Sequence, residues 1–216
     1  MEQPPTPSSP ELPTYRSSGD VAADKITWRA LVRAARRELV DGWEEGRREE
    51  LARSLAASGV DLMRRYAVSQ DRADLTGLCV TAFEPMRTEP PVDGLTRALQ
   101  ELGVRVLVPI TLERPRLGWA DLADPDRTPL GEEVLTGVDL FLVPALAISR
   151  AGVRLGQGGG YYDSTLPRAR ALSGGAPVVA CVHDHEVLPE VPADGHDAIA
   201  DLVLRPTLGV DEVPLA

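Results

Sequence analysis

Residues 138–170 read VDLFLVPALAISRAGVRLGQGGGYYDSTLPRAR, and the rest of the chain is arranged around them. The stretch opens on an apolar run, Val138-Asp-Leu-Phe-Leu-Val143, bounded by Gly137 and Pro144. The run is too short to cross a bilayer and reads as a fully buried strand. Gly152, Gly156, Gly158, Gly159 and Gly160 then fall within nine residues, with Arg154 among them. Glycine reaches φ > 0 and puts no Cβ between backbone and ligand, and successive N–H groups in such a turn make an anion-binding concavity. Tyr161 to Ala171 reads as a helix, whose N-terminus adds partial positive charge at the same point. Strand, glycine loop and helix predict a phosphate site at the carboxyl end of a strand, where open α/β sheets bind ligands. A flexible surface loop would carry the same glycines, so the decision rests on the longer string.

GQGGGYY lacks the Gly-Lys-Ser/Thr ending of a P-loop, and its glycines run G-x-G-G-G, not the dinucleotide G-x-G-x-x-G. The full string Arg154-Leu-Gly-Gln-Gly-Gly-Gly-Tyr-Tyr-Asp163 closely resembles R-x-G-x-G-x-G-Y-Y-D. That is the signature of the 5-formyltetrahydrofolate cyclo-ligase (methenyltetrahydrofolate synthetase) family. Val143-Pro-Ala-Leu-Ala147 resembles the same family's passage from strand into loop, and the likeness extends over nearly everything from Lys25 to Leu204. It implies one α/β domain over residues 25–210, related to the ribose-phosphate isomerase and CoA-transferase class. It also implies an ATP- and Mg²⁺-dependent cyclisation of 5-formyltetrahydrofolate to 5,10-methenyltetrahydrofolate.

The resemblance assigns residues as well. Lys25 and Arg29, in Lys25-Ile-Thr-Trp-Arg29, match a Lys-x-x-x-Arg pair that meets ATP. With them go Arg154, Gly156, Gln157, Gly158, Gly159, Gly160, Tyr161 and Tyr162, of which Arg154 and Tyr161 are the expected catalytic residues. Glu89, on the loop Glu84-Pro-Met-Arg-Thr-Glu-Pro-Pro91, matches a folate-contacting glutamate, with Glu84, Met86 and Tyr161 as neighbouring substrate residues. Asp163 and Asp197 match a pair of Mg²⁺ ligands, which suits a hard cation that also bridges phosphates. Two departures stand out. Residues 121–136 form a shorter segment than usual and lack a Glu-Pro or Gln-Pro turn that walls the folate pocket, and Ser149 replaces an aspartate. The shortened segment keeps open a non-catalytic folate- or nucleotide-binding relative. A sugar-phosphate enzyme of the same broad fold, needing no ATP, is a third reading.

Taken by themselves, several of these residues are ordinary. Lys25 to Val40 is a helix with Asp24 as N-cap and an apolar stripe of Trp28, Leu31, Ala35 and Leu39. Lys25, Arg29, Arg33 and Arg36 or Arg37 then make a solvated cationic face. Asp41 to Arg65 is a second helix, Leu78 to Phe83 a strand, Val92 to Leu102 a helix ended by Gly103, and Val104 to Ile110 a buried strand. Leu112 to Ala120 makes a short strand containing Trp119. Pro177 to Val182 and Ala200 to Leu204 are the closing strands, and His183-Asp184-His185 reads as a surface loop, not a metal site. The alternation of strands and helices predicts an α/β fold with an open, largely parallel sheet covered on both faces.

At 216 residues and 43% hydrophobic content the chain can bury one core, built of Leu, Val and Ala because aromatics supply only 4%. A formal charge of −10 argues against nucleic acid or an anionic membrane as partner but leaves room for an anionic small molecule at a local basic cluster. No apolar stretch reaches membrane length and no secretory signal opens the chain, so a cytoplasmic monomer with two buried thiols, Cys79 and Cys181, is expected. Residues 1–24, with five prolines in the first thirteen, are expected to be a disordered tail.

Overall fold

The structure is a computed structural model, and it describes residues 10–215. In chain order its elements are α1 (Val21–Asp41), α2 (Arg47–Ser69), β1 (Cys79–Thr81), α3 (Asp93–Glu101), β2 (Arg105–Thr111) and β3 (Leu117–Asp121). A 3-10 turn over Glu132–Gly137 precedes β4 (Leu140–Pro144), β5 (Ala147–Ser149), β6 (Arg154–Leu155), α4 (Tyr161–Leu172) and β7 (Val178–Cys181). A second 3-10 turn, Asp184–Glu186, leads to β8 (Val187–Leu188), β9 (Leu202–Arg205) and β10 (Gly209–Glu212).

Seven strands form the main sheet in the order β10-β9-β7-β4-β1-β2-β3. The five inner strands pair in parallel, and β10 and β3 add antiparallel edges. The strand at residues 140–144 shows why an unbroken apolar run was needed. Leu140 and Leu142 enter the core beneath α2 and α3, whereas Phe141 and Val143 enter the core beneath α4. Successive side chains alternate across a sheet, so a strand covered on both faces must be apolar at every position. On the first face Gly59 of α2 meets Leu95 of α3 so closely that a Cβ would sit 2.5 Å from a Leu95 methyl.

A three-stranded sheet, β6-β5-β8, sits where the chain leaves β4. Trp28 and Val32 of α1 pack against its Ala147, Leu155 and Leu188. That packing carries one face of α1 to the loop following β6. Neither this small sheet nor β10 was anticipated, and three further expectations change. Helix α1 begins at Val21 and is capped by Asp20, whose carboxylate accepts from Ala23 N at 3.1 Å, so Asp24 is not the cap. Asp24 instead accepts from Tyr15 Oη at 2.9 Å, and the Tyr15 ring meets Trp28 edge-on, so Leu12 and Tyr15 anchor the segment before α1 to the domain. The expected tail over residues 1–9 lies outside the described residues. His183 is not on a surface loop: it is 2% exposed.

Candidate functional site

The loop from Gly156 to Gly160 joins β6 to α4, and arginines from two other elements grip its carbonyl groups. Arg29 Nε donates to Gly156 O at 2.9 Å, and Arg33 Nη2 to Gln157 O at 2.6 Å. Arg114, at the tip of the β2–β3 hairpin, donates through Nη2 to Gly158 O at 3.1 Å and through Nε to Gly159 O at 3.0 Å. Four consecutive carbonyls are thus taken. Among the described residues, no amide from Gly156 to Gly160 donates to a backbone carbonyl. Gly158 and Gly160 hold φ of +96° and +73°, the left-handed region that glycine enters freely, and Gly160 is the N-cap of α4. The loop borders a cleft of about 790 Å³ lined by Lys25, Arg29, Arg114, Gly158, Asp163 and Asp197, with Leu166, Pro167 and Ile199 also on its wall. By connectivity, the segments after β2, β4 and β7 that line it leave the carboxyl ends of sheet strands.

The two aspartates expected to hold a metal line this cleft, and each already has a cationic partner. Lys25 Nζ lies 2.6 Å from Asp197 and 2.8 Å from Asp194. Burial alone would lower the Lys25 pKa, but hydrogen bonds to both carboxylates outweigh it and hold the ammonium above its ordinary value. The bond from Lys25 likewise holds the Asp194 carboxyl below the usual range. Asp163 accepts from Arg154 Nη2 at 2.5 Å and from Ala198 N at 3.1 Å. Among the described residues no group of three or more His, Cys, Asp or Glu side chains could enclose a metal.

Arg154 itself is 3% exposed and is not among the residues that line the cleft. Its Nη1 donates to Pro144 O at 3.0 Å, and its guanidinium lies 5.5 Å from the centre of the Tyr162 ring. A Cβ on Gly156 would stand 2.9 Å from Arg154 Nη1, so the first loop glycine lets the chain pass over this buried cation. Tyr162 packs against the core beneath α4, and its buried hydroxyl has no partner. Both residues therefore support the loop from beneath. The Tyr161 ring covers Gly159, where a Cβ would come within 2.6 Å of it.

Glu89 joins the glycine loop to the loop after β1. It is 4% exposed, accepts from Met86 N at 3.0 Å, and accepts from Gln157 Nε2 at 3.1 Å. Arg33 Nε holds the other end of the Gln157 amide at 3.1 Å. Met86 is largely exposed, and Glu84 turns away to pair with Arg127 of the short 121–136 segment at 3.1 Å. Beneath Glu89, the His183 ring meets Thr88 O at 3.0 Å, and His183 N donates to Glu186 at 2.7 Å. Glu186 in turn pairs with Arg36 of α1 at 2.6 Å, with both side chains at most 1% exposed. Arg36 also donates to Ala145 O at 2.6 Å, directly after β4. Ser149, at the second departure, accepts from Val153 N at 3.0 Å and tightens the β5–β6 turn.

The structure thus brings together Lys25, Arg29, Gly158, Gly160, Asp163 and Asp197 at the cleft, with Glu89 and Gln157 adjoining. It adds Arg33, Arg114 and Asp194, to which the sequence assigned no site role; Arg33 had figured only in the solvated cationic face of α1. Arg33 carried a signal: Lys25, Arg29 and Arg33 recur every fourth residue along one side of α1. For Arg114 there was none, because a hairpin 45 residues from Gly159 delivers it. Among the described residues no helix is long and apolar enough to cross a membrane. Cys79 and Cys181 are free and buried, and burial pushes the Cys79 thiol up to about 11.

Fold and cleft define an open α/β protein with a glycine-lined site at the carboxyl ends of its strands. The sequence profile of the 5-formyltetrahydrofolate cyclo-ligase family matches residues 46–206, and the chain belongs to that family. It is 37% identical over 153 residues to the 5-formyltetrahydrofolate cyclo-ligase of Mycolicibacterium smegmatis, covering 63% of this chain and 77% of that protein. A methenyltetrahydrofolate synthase domain-containing protein of Bos taurus is 40% identical over 85 residues, which span only 22% of its length. Among solved structures, 5,10-methenyltetrahydrofolate synthetases from Mycoplasma pneumoniae and Aquifex aeolicus share the fold, with TM-scores of 0.65 and 0.62 at 19% identity. The matches cover 83% and 89% of this chain, and 97% and 94% of those chains.

Proposed function

We propose that the protein converts 5-formyltetrahydrofolate and ATP to 5,10-methenyltetrahydrofolate, ADP and phosphate. One observation carries the nucleotide half of this reading: the carbonyls of Gly156 to Gly159 are all bound by arginines, in a loop that borders a cleft with cations and two aspartates on its wall. Amides left without carbonyl partners beside cations suit a polyphosphate. Family membership supports the folate half.

An amide oxygen is a poor leaving group, so the formyl oxygen first attacks the γ-phosphorus and ADP departs. The resulting N5-iminium phosphate is attacked at carbon by N10. Phosphate then leaves with the C–O bond, the N10 proton is lost, and the ring is closed. The protein's part is to hold the reactants in line and neutralise charge, as in other phosphoryl transfers. Lys25, Arg29 and the loop amides hold the triphosphate, while Arg154 and Tyr162 brace the loop from below. Glu89 offers an acceptor to pterin N–H groups after exchanging its bond from Gln157, and Tyr161 borders the folate.

Mg²⁺ fits the donor set. It keeps several waters and takes one or two carboxylates together with phosphate oxygens, and Asp163 and Asp197 are two carboxylates on the wall of one cleft. They would hold the ion, which would supply positive charge to neutralise the triphosphate, and Lys25 would pass from Asp197 to the nucleotide. Two free, buried thiols support a reducing, cytoplasmic setting. The test follows methenyl-folate absorbance after mixing purified protein with 5-formyltetrahydrofolate, with and without MgATP. Turnover that needs MgATP is expected. Nucleotide binding without turnover would instead favour the non-catalytic reading.

A further inference from the structure

We infer that Arg114, at the tip of the β2–β3 hairpin, is a phosphate-binding residue of the nucleotide site and that it engages the terminal phosphate. This rests on the nucleotide half of the proposed function. Most cations near the cleft are already committed to carboxylates: Lys25 to Asp194 and Asp197, Arg154 to Asp163, and Arg170 to Asp201. Among the described residues, Arg29 and Arg114 line the cleft bound only to backbone carbonyls. Both flank one glycine. The position of a Gly158 Cβ lies 3.4 Å from the Arg29 guanidinium, and Gly158 O accepts from Arg114.

A guanidinium carries five N–H donors in one plane. Arg114 spends Nε and one donor of Nη2 on the loop, which leaves Nη1 and the second Nη2 donor for an oxyanion. The two bonds it makes also fix its plane against a loop whose amides have no backbone carbonyl partners among the described residues. Charge-assisted bonds from arginine to phosphate are short and strong, and a protein of net charge −10 needs local cations to hold a triphosphate. The hairpin tip itself rests on the loop: Pro115 Cβ is 4.0 Å from where a Gly160 Cβ would stand. Arg114 therefore reaches the loop from an element separate from α1. A cation delivered by a separate element is well placed to recognise the last phosphate, which α1 and the loop alone would not distinguish from the others.

Isothermal titration of the full chain with a non-hydrolysable ATP analogue and with ADP, both with Mg²⁺, tests this. Arg114→Ala is expected to weaken the ATP analogue about tenfold, which corresponds to about 1.4 kcal/mol, and ADP by much less. Arg114→Lys should recover part of the loss. Arg116→Ala removes the same charge from the same hairpin, but Arg116 lines a different pocket, with Trp119, Thr165 and Arg168, and not the cleft, so this variant should bind like wild type. The ratio of ATP-analogue to ADP affinity is the deciding quantity, since loss of folded protein lowers both alike. An unchanged ratio in Arg114→Ala, or an equal fall in Arg116→Ala, overturns the assignment. Wild-type protein that binds nucleotide but does not cyclise folate would overturn the proposed activity and leave the Arg114 test intact. Wild-type protein that binds no nucleotide would overturn both.

Discussion

At the scale of single residues, the decisive polar contact lies beneath the site. Arg36 and Glu186 are 150 positions apart and almost completely buried, and they join α1, the chain leaving β4, and the turn beneath Glu89. Burial alone would raise the Glu186 pKa, but the adjacent Arg36 charge outweighs it and holds the carboxyl below its ordinary value. Such a pair adds little compared with apolar packing, yet removing one partner strands a buried charge and costs about 3–5 kcal/mol. Arg36→Met is expected to lose about that much at pH 7. Its deficit relative to wild type should shrink at pH 5, because the stranded carboxyl then has a folded-state pKa above its unfolded value and gains a proton as pH falls. Glu186→Gln strands the guanidinium instead, which cannot give up its proton, so its deficit should not shrink in the same way. Urea unfolding of both variants at the two pH values checks the contrast. A deficit in Arg36→Met that is independent of pH would mean that Glu186 is not held as an anion by Arg36.

At the scale of elements, the strand–loop–helix unit was legible because its signals are local. Alternate faces of β4 are both apolar, and glycines requiring positive φ sit where the loop turns into α4. The small sheet was not legible, since strands of two or three residues are too short to show a period. Nor was the burial of His183 and Glu186, because polarity predicts exposure until a partner far along the chain is known. The candidate site divides in the same way. Its glycines, Lys25 and Arg29 could be read from motifs, whereas Arg33 and Arg114 act on the loop through tertiary contacts. The loop carries its own prediction. Valine at 158 would be forced to φ +96° with its Cβ 3.4 Å from the Arg29 guanidinium. Gly158→Val is therefore expected to weaken an ATP analogue by tenfold or more, with a thermal midpoint within a few degrees of wild type. Unchanged affinity, measured by titration calorimetry, would remove the loop from the nucleotide site.

For the whole molecule, the response to acid follows from the imidazoles packed between α1 and the turn after β7. The His183 and His185 rings are stacked 6.1 Å apart, with Trp43 edge-on to His183 at 6.0 Å. Burial lowers both pKa values below the ordinary 6.5; Glu186 opposes that shift, and Arg36 adds to it. A group whose folded-state pKa is depressed binds more protons when unfolded, so stability falls as pH drops below about 6.5. Each imidazole can contribute a slope of at most about 1.4 kcal/mol per pH unit. The thermal midpoint should therefore be nearly level from pH 8 to 7 and fall between pH 6.5 and 5. A further fall is expected below about pH 4.5, where the unfolded chain takes up protons at Glu186 and Asp194 that the fold, holding both carboxyls below their ordinary values, does not. His185→Phe separates this cause from general acid unfolding. His185 Nε2 is buried without a partner, and an unsatisfied buried polar atom costs about 1–3 kcal/mol, so the substitution should leave stability at pH 7 equal or higher. It also removes one of the two titrating rings, so the midpoint should fall less steeply between pH 6.5 and 5. A slope identical to wild type would show that His185 takes up no extra proton on unfolding and that the acid response arises elsewhere in the fold.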